Sequence, residues 1–164
     1  MFLMDAITIK ETNVAENYEL ISGFMLHLHK HEHQLFDKTA QWADIETSYM
    51  RHIITMQAES GGVCLVAYKD GLPAGFIFGF EEEQDDSRFE INEGKELYVS
   101  DGYIADAFRR QGIYRKLNDE LEKHFINKGI LRITRLTHIS NTRMRHLLEE
   151  EGYIATRVVY EKWL

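Results

Sequence analysis

Arg109-Arg110-Gln111-Gly112-Ile113-Tyr114 is the stretch of this chain whose residue types and placement could do chemistry. It follows Leu97-Tyr98-Val99 and precedes a helical pattern, so it reads as strand, tight basic loop and helix start. A helix N-terminus carries unpaired N–H groups and a partial positive charge, and a loop feeding into it can hold a phosphate or pyrophosphate. Arg109 and Arg110 add full charges, and Gly112 lets an anion come close to the main chain. Upstream, Ser100 and Asp101 are neighbours on the strand, so only one of them can face a given cleft. Asp101 is the one able to accept a proton.

Other reactive residue types carry weaker patterns. His27, His29, His31 and His33 alternate around Lys30 and Glu32. Two His at i and i+4 on one helix face can share a metal, but His27/His31 and His29/His33 fall on different faces. The run therefore reads as a polar helix end, where the dipole favours partly protonated imidazole, and no metal is expected. Cys64, the single cysteine, excludes an internal disulfide and, inside Val63-Cys64-Leu65-Val66, reads as a small buried hydrophobe. Glu81 to Asp86 could attract a cationic amine, although an acidic run is more commonly a solvated loop.

The elements that must position these residues follow from pattern. Ala6 to Lys10 reads as a first strand, and Asn13 with Glu16 as the cap of a helix to about residue 30, with Val14, Tyr18, Ile21, Met25 and Leu28 on one face. Trp42, Ile45, Tyr49, Ile53 and Met56 mark a second helix, closed by Ser60-Gly61-Gly62. Val63–Tyr68 and Ala74–Phe80 form a hairpin about Asp70-Gly71, and Glu81–Glu96 is expected to be a polar loop. After the basic loop, Ile113, Leu117, Leu121 and Phe125 stripe a third helix ended by Gly129. Ile130–Thr137 is expected as a strand and Asn141–Glu151 as a helix with Met144, Leu147 and Leu148 inward. Tyr153–Tyr160 is expected as a last strand.

The order is β-α-α-β-β-β-α-β-α-β, an α/β (α+β) fold with a mixed, mostly antiparallel sheet flanked by helices, as a single domain over 1–164. A composition of 44% hydrophobic and 28% charged residues is that of a globular protein. No apolar run is long enough to span a bilayer, and the N-terminus lacks the pattern of a secretory signal, so a cytoplasmic address and no membrane partner are expected. A net charge of −8 disfavours nucleic-acid binding and makes cationic small molecules natural partners.

With this order and this loop, the chain resembles the GNAT superfamily of acyl-CoA-dependent N-acyltransferases over nearly its whole length. The family's signature is Gln or Arg, two residues, Gly, one residue, then Gly or Ala. Arg109 to Ile113 match it, and Tyr114 departs from the small residue at its end. Asn141, Gly152 and Tyr153 match landmarks of the C-terminal half, whereas Met144 and Leu148 stand where the family often has Ala and Tyr.

The resemblance implies a sheet splayed between its fourth and fifth strands and acetyl-CoA as co-substrate. It places the pyrophosphate on Arg109, Arg110, Gln111, Gly112, Ile113 and Tyr114, the Tyr114 side chain turning outward unless the loop differs locally. The main chain of Tyr103, Ile104 and Ala105 would meet the pantetheine arm and thioester beside a bulge compatible with Gly102. Asn141 would help orient the cofactor, with helix capping as its plain alternative. Asp101 would remove the amine's proton. Leu148 cannot supply the proton that the family's Tyr gives the departing thiolate, which leaves Tyr103, Tyr153 or water. The implied activity is acetyl transfer to a primary amine of a small molecule or peptide, the alternative being a non-catalytic acyl-CoA-binding module. A homodimer is compatible with this reading.

Overall fold

The computed structural model describes residues 6–85, 87, 89–91 and 94–164. Its elements are β1 (Ile7–Glu11), α1 (Tyr18–Leu35), α2 (Trp42–Glu59), β2 (Val63–Lys69), β3 (Leu72–Glu83), β4 (Lys95–Ile104), α3 (Ile113–Ile126), β5 (Ile133–Thr134) and α4 (Thr142–Glu150), with a 3-10 turn at Asp106–Phe108. The strands lie in the order β1-β2-β3-β4-β5. The first three pairings are antiparallel and β4–β5 is parallel. This is the expected mixed sheet.

Both faces of the sheet are covered, which is why Val63 to Ala67 on β2 is an unbroken buried run. One apolar cluster joins Ile21, Phe24, Met25, Trp42, Met50 and Ile53 of α1 and α2 to Cys64, Phe76, Phe78 and Tyr103. The other joins Ile113, Leu117, Leu121 and Phe125 of α3 to Leu65, Ile77, Leu97, Val99 and Ile104. The α3 stripe read from sequence is the α3 core face, each member at most 1% exposed. Among the described residues no helix is long and apolar enough to cross a membrane.

Several boundaries differ from expectation. Asn13 does accept the N–H of Glu16 at 3.0 Å, but this closes a turn, and α1 starts at Tyr18 and runs on to Leu35. Glu81–Glu83 and Lys95–Glu96 belong to strands, so the expected loop shrinks to 84–94; its residues 86, 88, 92 and 93 lie outside the described set. Of the three α4 positions expected inward, only Leu148 is buried.

The two C-terminal strands are the main corrections. The expected strand over 130–137 pairs only at Leu97↔Ile133 and Tyr98↔Thr134. Tyr153–Tyr160 forms no ladder; beyond Tyr153 the chain is exposed throughout. Because β4 continues on β3 as far as Ile104 while β5 leaves it at Tyr98, the two strands part along most of β4.

Candidate active site

The site is built where β4 and β5 diverge, and a bulge in β4 sets which side chains face which helices. Phe78 pairs with Asp101 but Gly79 pairs with Val99, so Ser100 is an extra residue in β4. Leu97 and Val99 belong to the α3-side core, and Tyr98 packs on the α1–α2 side. Strict alternation would send Asp101 to the α3 side. The inserted Ser100 reverses the phase, so Asp101 meets Tyr49 of α2, Tyr103 joins the α1–α2 core and Ile104 the α3 core. The bulge thus lies at Ser100, not at Gly102 as expected.

Asp101 is 6% exposed. Tyr49 Oη donates to its two oxygens at 2.8 and 3.0 Å, and Ser100 Oγ donates to Oδ2 at 2.7 Å. Burial pushes its carboxyl above the ordinary carboxylate range; the two hydroxyls, then His29 and His52, pull the other way. Among the described residues no Lys or Arg pairs with it. Around it runs a chain of rings: His29 packs on Trp42 at 4.8 Å and on the Tyr49 edge at 5.8 Å, and Tyr49 leads to His52, Phe80 and Tyr98. Burial, and after it the same carboxylate, raises the Tyr49 and Tyr98 hydroxyls and pushes the Cys64 thiol up to about 12, which leaves Cys64 inert.

On the β5 side, the main chain of β4 is open. Ala105 N–H donates to the Ala74 carbonyl at 2.9 Å, so antiparallel alternation commits Tyr103 to β3 as well and turns Gly102 and Ile104 outward. The expected trio is therefore corrected: Tyr103 spends its main chain on β3, Ala105 gives its N–H to β3 and its carbonyl to the Phe108 N–H at 2.9 Å, and only Ile104 faces the gap, with Gly102 as its companion. The Ile104 carbonyl already accepts Arg109 Nε at 3.0 Å, which leaves its N–H as the donor.

The loop that follows carries its own signature. Arg110 has φ 62° and Gly112, which caps α3, has φ 73°. Left-handed residues in such a turn gather successive N–H groups into an anion-binding concavity. The first backbone bond of α3 is Lys116 N–H to the Gly112 carbonyl, so Ile113, Tyr114 and Arg115 have N–H groups without a helical acceptor. No acidic residue lies in the first turn to repel an anion, and a Cβ on Gly112 would meet nothing within 4 Å. A pyrophosphate fits this cradle, and an extended pantetheine arm fits the open edge of β4.

The side chains of the loop divide. Arg110 is exposed, and its side chain makes no hydrogen bond or ion pair among the described residues. Arg109 instead folds back onto the Ile104 carbonyl, Asp106 at 2.9 Å and the Tyr103 ring at 5.4 Å, so the charge expected to meet phosphate serves to hold the loop. Gln111 accepts from Lys69. Tyr114 does not turn outward. Its ring goes beneath Gly102, where an added Cβ would lie 2.9 Å from Cε2, and Arg135 Nη1 donates to its hydroxyl at 3.2 Å.

Arg135 also reaches Asn118 and, at 3.1 Å, Tyr153, whose hydroxyl donates to Glu122. Asn141 spends its side-chain oxygen on the Met144 N–H at 3.2 Å, so it is the cap of α4. Three of the four histidines have separate surroundings: His27 stacks on Tyr103, His29 lies tilted against Trp42, and His33 Nδ1 lies 3.1 Å from the Thr39 carbonyl. No metal-holding group of His, Cys, Asp and Glu occurs among the described residues. Sequence reasoning missed Tyr49, Arg135 and Arg109's inward role. Tyr49 had been read as core, and nothing local marks a contact 52 residues away.

The model of the acetyltransferase (GNAT) family matches residues 25–153. Among solved structures, a GCN5-related N-acetyltransferase from Ralstonia eutropha JMP134 superposes with a TM-score of 0.78 at 14% identity, covering 96% of this chain and 99% of the other. The aminoglycoside N-acetyltransferase AAC(6')-Iy in complex with CoA gives 0.71 at 18% identity, covering 97% and 95%. A ribosomal-protein-alanine N-acetyltransferase from Brucella melitensis biovar Abortus 2308 gives 0.64 at 16%, covering 97% and 100%. No curated protein matches significantly. The chain belongs to the GNAT acetyltransferase family. It is an acetyl-CoA-dependent N-acetyltransferase.

Proposed function

We propose that this acetyltransferase moves acetyl from acetyl-CoA to a primary amine of a small molecule or peptide, by direct attack in a ternary complex, with Asp101 taking the amine's proton. The observation that carries the reading is the bulge at Ser100, which delivers a buried carboxylate with no Lys or Arg partner among the described residues to the α1–α2 face. An ammonium is the natural partner for such a group, and an alkylamine must lose a proton before it can attack. The neighbours' names point to amine acceptors of very different size, an aminoglycoside and a ribosomal-protein alanine, and so favour an amine without choosing its carrier.

The thioester supplies an activated acetyl carbonyl. The outward N–H of Ile104 and that of Gly102 are the donors placed to stabilise the oxyanion that forms on it. Arg110 and the N–H groups of Ile113 and Tyr114 hold the pyrophosphate. Ser100 and Tyr49 fix the Asp101 carboxylate, and an entering ammonium takes over from the Tyr49 hydroxyl as its partner. Asp101 takes one proton from the ammonium before attack; the neutral amine then forms the C–N bond, and as the C–S bond breaks the second N–H proton leaves to water. Leu148 has no proton to give, Tyr103 is pushed up by burial, and the Tyr153 proton is directed at Glu122, so the thiolate takes its proton from water.

The test is free-thiol release from acetyl-CoA across a panel of primary amines, run beside Asp101→Asn. Acetyl-CoA-dependent release with at least one amine, lost in the variant, is the expected result. Thermal stabilisation by acetyl-CoA with no release from any amine would overturn the assignment in favour of an acyl-CoA-binding module.

A further inference from the structure

Asp101 answers to the amine, and the departing sulfur needs a partner of its own. On β4 the neighbours Asp101 and Gly102 face opposite ways. Asp101 meets Tyr49 of α2, whereas the place of a Cβ on Gly102 is taken by Tyr114 of α3, whose hydroxyl would lie 3.1 Å from that atom. The hydroxyl therefore stands against the same stretch of β4 whose outward N–H groups serve the thioester, but on the α3 face. The amine, drawn to Asp101, comes from the other face.

This hydroxyl is placed to donate. Arg135 Nη1 donates to its oxygen at 3.2 Å, and no group among the described residues takes its proton. Burial raises it above the ordinary tyrosine value of 10.0, Arg135 pulls it back, and Asp101 adds to the rise. It keeps its proton at neutral pH.

Arg135 is the counterpart of Asp101. It stands one residue past β5 and reaches oxygens of Tyr114, Asn118 and Tyr153, all neutral, with no carboxylate in ion-pair contact among the described residues. Its Nε is buried and makes no hydrogen bond among them. β4 is thus flanked by a carboxylate without Lys or Arg on one face and by a guanidinium without a carboxylate on the other. The first suits an ammonium and the second an anion.

We infer that the Tyr114 hydroxyl donates a hydrogen bond to the coenzyme A sulfur as the C–S bond breaks, and that Arg135 positions this hydroxyl and supplies the charge that stabilises the thiolate. Tyr114 keeps its own proton throughout. The electron pair of the C–S bond goes to sulfur, and water protonates the thiolate afterwards. An arginine beside a thiolate favours it over the thiol, and a donor already aimed at developing charge needs no reorganisation when the charge appears. The inference rests on the acetyl-transfer reading for where the thioester lies, and it concerns the leaving group, not the acceptor.

The test is a pH titration of the thiol of coenzyme A bound to saturated protein, followed by the ultraviolet absorption of the thiolate, with desulfo-coenzyme A as the blank. In the parent the bound thiol should titrate about one pH unit or more below the ~8.5 of an ordinary thiol. Tyr114→Phe keeps the ring beneath Gly102 and removes only the hydroxyl. Its bound thiol should return to the ordinary value, and its turnover should fall ~10²-fold with the KM for acetyl-CoA kept. Arg135→Gln, its fold checked by circular dichroism, should raise the bound thiol in the same direction; an unchanged value there overturns the part given to Arg135. Equal titration in the parent and in Tyr114→Phe overturns the inference, and so does a parent thiol that titrates at or above free coenzyme A. The titration needs no amine, so its result stands apart from the test of the acceptor.

Discussion

A Cβ on Gly102 would sit 2.9 Å from Cε2 of Tyr114 and 3.1 Å from its hydroxyl, so β4 and α3 share a space that one side chain fills. This is how a bulky residue stands at the end of the phosphate loop without entering it. Gly102→Ala should lower stability by about 1–3 kcal/mol, the usual cost of overpacking. In a Tyr114→Ala background the same change should cost close to nothing, because the ring it meets is gone. Urea unfolding of the four proteins closes the cycle; additive costs would show that the two positions are uncoupled.

Arg110 is the loop position where stability and binding should move in opposite directions. Its φ of 62° is a conformation that glycine adopts freely and a side chain adopts at a cost. Arg110→Gly should raise stability by about 0.5 kcal/mol, a small net value because glycine also gains freedom in the unfolded chain. It should weaken acetyl-CoA binding and flatten its salt dependence by removing the exposed charge. Calorimetric titration at two salt concentrations checks the second half. Unchanged affinity would mean that the N–H groups hold the pyrophosphate without Arg110.

Asp101 offers a similar division between stability and turnover. Burial raises its pKa above the ordinary value of 3.8, so the folded chain holds the proton more tightly than the unfolded chain does. Ionisation therefore opposes folding. The cost is absent below the ordinary value, grows as pH rises toward the raised value and is constant above it. Asp101→Asn should unfold at a higher temperature than the parent at neutral pH, with the gap closing as pH falls. Turnover should drop ~10²–10⁴-fold, as for loss of a general base, with acetyl-CoA affinity kept. Lower stability at neutral pH together with full turnover would make Asp101 a structural carboxylate.

The fold was legible wherever one face of an element is buried and the other is not. The α3 stripe Ile113, Leu117, Leu121 and Phe125, the Asp70-Gly71 hairpin and the loop ahead of α3 follow from local pattern, and each is observed. The site was legible in its residue types more than in its geometry. Asp101 could be chosen over Ser100 on chemistry, but the bulge that aims it depends on the register between β3 and β4, a property of two strands. Arg109 looked like a phosphate ligand because charge is visible in sequence, whereas the Ile104 carbonyl that captures it is not. Tyr153–Tyr160 has strand residues in strand order but no strand partner among the described residues, and pattern alone does not supply one.

His29 should make stability fall on mild acidification. Its Nδ1 is buried, and its ring lies between Trp42 and Tyr49. Burial lowers its pKa below 6.5, against the opposing pull of Asp101, the Ala40 backbone and Glu32. The unfolded chain therefore binds this proton more readily, and stability contributed by neutral His29 is lost as pH falls from 6.5 through the lowered value. Protonation of Asp101 acts in the opposite sense, adding stability as pH drops to its raised value, and it is present in both proteins compared. His29→Leu keeps an apolar filler beside Trp42 without a titrating ring. Its unfolding temperature should fall less than the parent's between neutral and mildly acidic pH. Parallel curves for the two proteins would show that the burial and charge effects on His29 cancel, and a parent that falls less than the variant would show His29 held charged in the fold by Asp101.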